Sequence, residues 1–146
     1  MPHQVSVTDS IALDVSAEDA LAVLWDIQSL SLYEPKVDSA WIKPETDKKG
    51  TYSVTGRFAG WLWRGKFSYE LNDHGFHSEM IQGTRGIKVN GGFVVKAERR
   101  DRCRITHYEH YEFPRWMSPL ARLYLHWAMK KELHDLAEII HNQVSV

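Results

Sequence analysis

The sequence predicts an α+β domain in which a curved, seven-stranded antiparallel sheet wraps around a long C-terminal helix. Three observations predict it. A strand-like segment followed by a capped helix opens the chain, six runs of period-two hydrophobicity separated by short turns follow, and a long amphipathic segment closes it. A sheet with one apolar face must cover that face, and only the last helix is long enough to do so. No linker, repeat or low-complexity stretch interrupts this order, so residues 1–146 are read as one domain.

The first strand is expected from Val5 to Val15, where Val5, Val7, Ile11, Leu13 and Val15 share an inward parity. Ser16 stands at an N-cap position with Asp19 three residues on, and Ala17, Ala20, Leu21, Leu24 and Ile27 then follow at helical spacing. A second short helix around Leu30, Leu32 and Tyr33 must end before Pro35, whose ring disfavours helical geometry in the preceding residue. Six strands are expected at 37–44, 51–58, 62–71, 76–81, 87–98 and 102–113, and their short connections favour an antiparallel meander. Ser118 and Pro119 are placed as N-cap and N1 of the final helix, which is expected to run to about His141.

This order of elements resembles the helix-grip superfamily, the START-like or Bet v 1-like (SRPBCC) proteins that include polyketide cyclases, dehydrases and lipid-transport domains. The residues that carry the resemblance are the Ser16-Ala17-Glu18-Asp19 helix start, Val23-Leu24-Trp25-Asp26-Ile27 leading to Tyr33-Glu34-Pro35-Lys36-Val37, and the closing amphipathic helix. The resemblance implies a cavity between the sheet and the last helix that receives lipids, sterols, polyketides or other hydrophobic molecules. It does not choose between carrier, enzyme and protein-binding module, because function belongs to the site rather than to the fold.

Composition narrows the field. Eighteen basic residues against nineteen acidic ones leave no strong field for nucleic acid. The apolar stretches fall short of the roughly 20 residues that cross a bilayer, and no basic flank precedes an apolar run at the N-terminus, so no membrane span is expected and cytoplasmic residence fits. Cys103 is the only cysteine, which excludes an intrachain disulfide and a thiolate metal cluster. Six Trp, six Tyr and five Phe supply many flat apolar surfaces.

In the last strand His107, Glu109 and Tyr111 share the parity of Ile105 and Phe113, so all five are expected to face inward. An imidazole and a carboxylate in an apolar cavity suit proton transfer, with desolvation raising the Glu pKa; the plainer reading is that they pair with each other or with cross-strand partners, or that a β-bulge reverses the parity. Metal ligation is disfavoured, because no further His or carboxylate sits at a spacing that completes the set, and no cofactor is implied. Parity also turns Tyr52, Val54 and Phe58, Phe67, Tyr69 and Leu71, and Phe93, Val95 and Ala97 inward, an aromatic wall that either contacts a ligand or fills the space itself. Arg85, in the Gly83–Gly86 turn, either meets an anionic ligand head or is a solvated turn residue.

In the final helix Leu125, Met129, Leu133, Leu136 and Ile140 form one stripe that should face the sheet, with Leu125, Met129 and Leu133 as ligand contacts. Leu120, Leu123, Tyr124 and Trp127 lie off that stripe, which calls for a kink, an overlying loop, or an outward face that contacts a protein partner, a second copy or a membrane surface or forms a lid over a ligand entrance; Lys130 and Lys131 flank it, too few lysines by themselves for membrane docking. In Trp61-Leu62-Trp63 at most two residues can face inward together. The readings are therefore a carrier of a small hydrophobic ligand, a cyclase or dehydratase in which His107 or Glu109 moves a proton while Tyr111 steadies an oxygen, and an interaction module built on the outward helix face.

Overall fold

The computed structural model describes residues 3–58 and 60–144, apart from the side chain at position 118. Strand β1 (His3–Leu13) leads into helix α1 (Ala17–Trp25), a turn of 3-10 helix at Ile27–Ser29, and helix α2 (Leu30–Tyr33). Six strands follow, β2 (Ser39–Pro44), β3 (Lys49–Phe58), β4 (Trp61–Asn72), β5 (Gly75–Gly83), β6 (Lys88–Arg99) and β7 (Arg102–Phe113), and then helix α3 (Ser118–Val144). The Ser16 side chain accepts from the Asp19 amide at 3.2 Å, as its capping position requires. The N-cap expected of Ser118 depends on a side chain outside the described residues. Helix α1 stops two residues short of Ile27, which instead opens the 3-10 turn.

All strands pair antiparallel in one sheet of order β1-β7-β6-β5-β4-β3-β2, so the first strand returns beside the last of the meander. The register sets Val5 opposite Tyr111 and Val7 opposite Glu109, which holds the inward parity of β7 against the apolar face of β1. Register shifts fall at Lys66/Phe67 and at Ala97/Arg99. One expectation is corrected: Ala97 keeps register opposite Cys103 but is exposed near the end of the strand, and Val95 is the last buried residue of β6.

Helix α3 packs against β1, with α1 and α2 beside it. Its stripe of Leu125, Met129, Leu133, Leu136 and Ile140 is buried in the core. The first half of the helix presents Leu120, Leu123 and Trp127 to solvent, while Tyr124 is half-buried with its ring edge against Phe58 at 5.1 Å. No loop covers those three among the described residues. Of the Trp61-Leu62-Trp63 trio only Trp63 is buried. No helix among the described residues is long and apolar enough to cross a membrane.

Candidate functional site

Strand β7 brings His107, Glu109 and Tyr111 onto the inner face, all three buried. The segment after α2 brings two more charges. Glu34 leaves the helix in extended geometry ahead of Pro35, and its Oε1 accepts from the Lys36 amide at 3.0 Å and from Lys36 Nζ at 2.6 Å. The Lys36 carbonyl accepts from Trp63 Nε1 at 2.9 Å. That backbone runs so close to β3 that a Cβ added at Gly56 would stand 1.8 Å from the Lys36 carbonyl oxygen. Lys36 Nζ also lies 3.4 Å from Glu109 Oε1. Helix α3 contributes Glu132, completely buried beside His107.

The hydrogen bonds define the state of the imidazole. His107 Nδ1 is 2.8 Å from the Gly92 carbonyl, which only accepts, and Nε2 is 2.9 Å from Glu109 Oε1 and 3.2 Å from Glu132 Oε2. Both ring nitrogens therefore carry protons, and His107 is an imidazolium. Burial works against this charge, but the Glu132 and Glu109 carboxylates outweigh it and hold the pKa well above the ordinary value. The cationic ring also lies flat on Phe93, with centroids 3.9 Å apart and planes 9° from parallel.

The electrostatics of Glu109 differ from the sequence expectation. Burial alone would raise its pKa, yet Lys36 and His107, with hydrogen bonds from His107 and Tyr111, bring it down to about 2. Tyr111 donates to Glu109 Oε2, and burial followed by the Glu109 charge keeps its phenol protonated. The raised carboxyl is Glu34, pushed up by burial first and then by the charge of Glu132. Lys36 remains an ammonium: burial opposes its charge, but Glu109 and Glu34 more than compensate. Glu132 is the exception in the network. Its Oε2 forms an ion pair with His107 at 3.2 Å, and neither oxygen has a closely aligned donor of the kind that holds Glu34 and Glu109.

These groups form the polar side of a cavity of about 60 Å³ open to the centre of a water molecule, room for about four waters at roughly 15 Å³ each. The rest of its wall is mainly apolar and includes Tyr52 stacked on Phe67, with centroids 5.1 Å apart. Of the expected contact residues, Tyr52, Val54, Phe58, Phe67 and Phe93 line the cavity together with His107, Glu109 and Tyr111. Tyr69, Val95, Leu125, Met129 and Leu133 do not; they are buried in the core. The α3 stripe is taken up by packing on β1 and the short helices, so the helix reaches the cavity through Glu132 alone. Arg85 is exposed and not among the lining residues.

Sequence reasoning missed Glu34, Lys36 and Glu132 as site residues. A signal existed for the last: at about 100° per residue Glu132 sits about 60° from the centre of the buried stripe, where a charge is out of place. The reason given against a metal also falls. Glu34, His107, Glu109 and Glu132 each offer a ligand atom within 4.8 Å of the others, a set that only the tertiary fold assembles. In this structure Lys36 Nζ and the His107 ring supply the positive charge among those acids.

Comparison with known proteins gives a consistent fold. A family model described as polyketide cyclase / dehydrase and lipid transport matches residues 4–140. Among curated proteins none matches the sequence. Among solved structures, the chain is similar to the Zhui aromatase/cyclase from Streptomyces sp. R1128, with a TM-score of 0.86 and 11% identity over 97% of this chain and 96% of that one. It is also similar to a START superfamily protein from Mycobacterium smegmatis, with a TM-score of 0.80 and 11% identity over 94% and 98%. Norcoclaurine synthase from Thalictrum flavum aligns with a TM-score of 0.67 and 15% identity over 95% and 87%. At these identities the likeness concerns the fold.

Proposed function

Because the chain belongs to the polyketide cyclase / dehydrase and lipid transport family, we propose that its cavity binds a small, mainly apolar molecule bearing a carbonyl or hydroxyl and transfers protons on it. One observation carries this reading: the His107 imidazolium and the Glu132 carboxyl, 3.2 Å apart and both buried, stand together in a wall that is otherwise largely apolar. Burying charged groups is costly even when they are paired, and passive storage of an apolar molecule does not require them. The family description spans cyclases, dehydrases and carriers, so the choice among them rests on this geometry.

The roles follow from the proton inventory. Glu132 is the base that takes a proton from the carbon next to a carbonyl, and His107 is the acid that delivers one to the departing or developing oxygen. In a dehydration the C–H electron pair becomes the new double bond, the C–O bond breaks, and the oxygen leaves as water. The step ends with Glu132 protonated and His107 neutral, and the 3.2 Å between Oε2 and Nε2 lets the proton return. Glu109 is too acidic to serve as the base; with Lys36 and Tyr111 it positions His107 and keeps it charged.

The test does not require the native substrate. The protein is incubated in D2O with a panel of aromatic β-hydroxy and β-keto carbonyl compounds, and mass spectrometry follows deuterium uptake at the α-carbon. Binding is read in parallel from the fluorescence of Trp63, which lines the cavity. Wild type should exchange, and H107Q and E132Q should lose at least about 100-fold in exchange rate while still binding. Equal binding with no exchange by any of the three proteins would leave the carrier reading, supported by the predominantly apolar wall, in its place.

A further inference from the structure

We propose that the face formed by Trp61, Leu62, Trp116, Leu120, Leu123 and Trp127 docks onto an anionic membrane surface. All six are large apolar side chains between 44% and 80% exposed. They are contiguous: the Trp61 and Trp116 rings meet edge-on at 5.4 Å, and Trp127 packs against Tyr124 at 5.6 Å. Leu120, Leu123 and Trp127 fall at intervals of three and four residues, which makes one stripe along the start of α3, and Trp116 stands four residues before Leu120 in the 3-10 turn at Arg115–Met117. The β3–β4 hairpin tip adds Trp61 and Leu62 beside it.

The occupant follows from charge. From residue 113 to residue 131 the chain carries Arg115, Arg122, Lys130 and Lys131 and no acidic residue. Arg115, Arg122 and Lys130 are exposed, and none forms an ion pair among the described residues. At about 100° per residue Arg122, His126 and Lys130 line one flank of the apolar stripe. Trp and Leu on one face with basic residues along its edge is the pattern of a segment lying in the headgroup layer, where the indole rings sit at the interface and the cations meet anionic lipid. The near-zero net charge of the whole chain conceals this local segregation. Phe58 and Met117, which line the cavity, adjoin the patch through Tyr124 and Trp116, so docking would set the cavity wall next to lipid.

This surface is separate from the His107 cluster, and the inference holds whether or not protons are transferred there. The test is co-sedimentation of the full chain with vesicles of phosphatidylcholine alone and of phosphatidylcholine mixed with phosphatidylglycerol, with light scattering in the absence of lipid. Wild type should bind the mixed vesicles, with a blue shift in tryptophan emission, and release as salt is raised. The double variants L120E/L123E and R115E/R122E should each weaken binding by at least about tenfold, with unchanged circular dichroism. Failure of wild type to bind either vesicle would overturn the proposal. So would a dimer that L120E/L123E converts to monomer, since that result assigns the face to a second copy.

Discussion

Lys36 is a buried ammonium held between Glu34 and Glu109, 2.6 and 3.4 Å away, and its removal exposes what each partner requires. Lys36→Met leaves two buried carboxyl groups without their shared cation, and a loss of about 3–5 kcal/mol in chemical denaturation is expected. A change under about 1 kcal/mol would mean that His107 alone neutralises the cluster. The same residues determine the pH response. His107 faces Glu109 on its own strand and Glu132 on α3, with Lys36, Glu34 and Tyr111 nearby, and its pKa in the folded protein lies well above the ordinary 6.5. A proton held more tightly in the folded state stabilises fully below pH 6.5, and that contribution declines as pH rises through the folded value. Glu109 runs in the opposite sense: its folded value of about 2 lies below the ordinary 4.5, so its contribution is present above 4.5 and lost as pH falls toward 2. Glu34 runs in the same sense as His107: its folded value is raised by burial and then by the Glu132 charge, so its contribution is present below 4.5 and lost as pH rises. Stability measured against pH should therefore fall toward pH 2 through Glu109 and fall above about 4.5 through Glu34 and then His107, and H107Q should lessen the upper decline without removing it.

At the level of elements, the two halves of α3 are built for different surroundings. Leu136 is completely buried, so Leu136→Ala should cost about 2–5 kcal/mol, whereas Leu123→Ala, in the solvent-facing half, should change stability by no more than about 0.5 kcal/mol. Equal losses at both positions would show that Leu123 is covered in solution. Strand β3 has a different task, since it supports the turn that carries Lys36. Gly56→Ala would drive a methyl group into the Lys36 backbone, which is also held from the other side by Trp63. The variant should lose stability by about 1–3 kcal/mol and lose deuterium exchange activity beyond what its residual fold explains. Full activity would remove Gly56 from the supports of the site.

For the molecule as a whole, Tyr52, Phe67 and Phe93 line the cavity, with Tyr52 stacked on Phe67. A ligand that fits against these rings contacts a close-packed wall, so affinity will depend on how well its shape matches that wall. Any compound that binds only the folded state raises stability by mass action, about 2.7 kcal/mol at a concentration one hundred times its Kd. Thermal denaturation with a panel of aromatic carbonyl compounds should show such a shift for at least one. A flat profile across the panel, together with absent exchange, would remove the cavity from the functional account.

The element order, the inward parity of β7, the break at Pro35 and the buried stripe of α3 could be read from the sequence because each depends on neighbours three or four residues apart, or on strict alternation. The anomaly in the first half of α3 was legible for the same reason, as four apolar residues on the wrong side of one helix. The cluster was legible only in part. His107, Glu109 and Tyr111 share a strand and a parity, but Glu34 and Lys36 come from a turn 73 residues from Glu109, counted from Lys36, and Glu132 comes from the opposite layer. Local periodicity carries no information about which side chains converge across layers, and convergence is what sets protonation here. It lowers Glu109 and raises His107, where burial alone would have raised the carboxyl and lowered the imidazole, and through Glu132 it adds to the burial that raises Glu34.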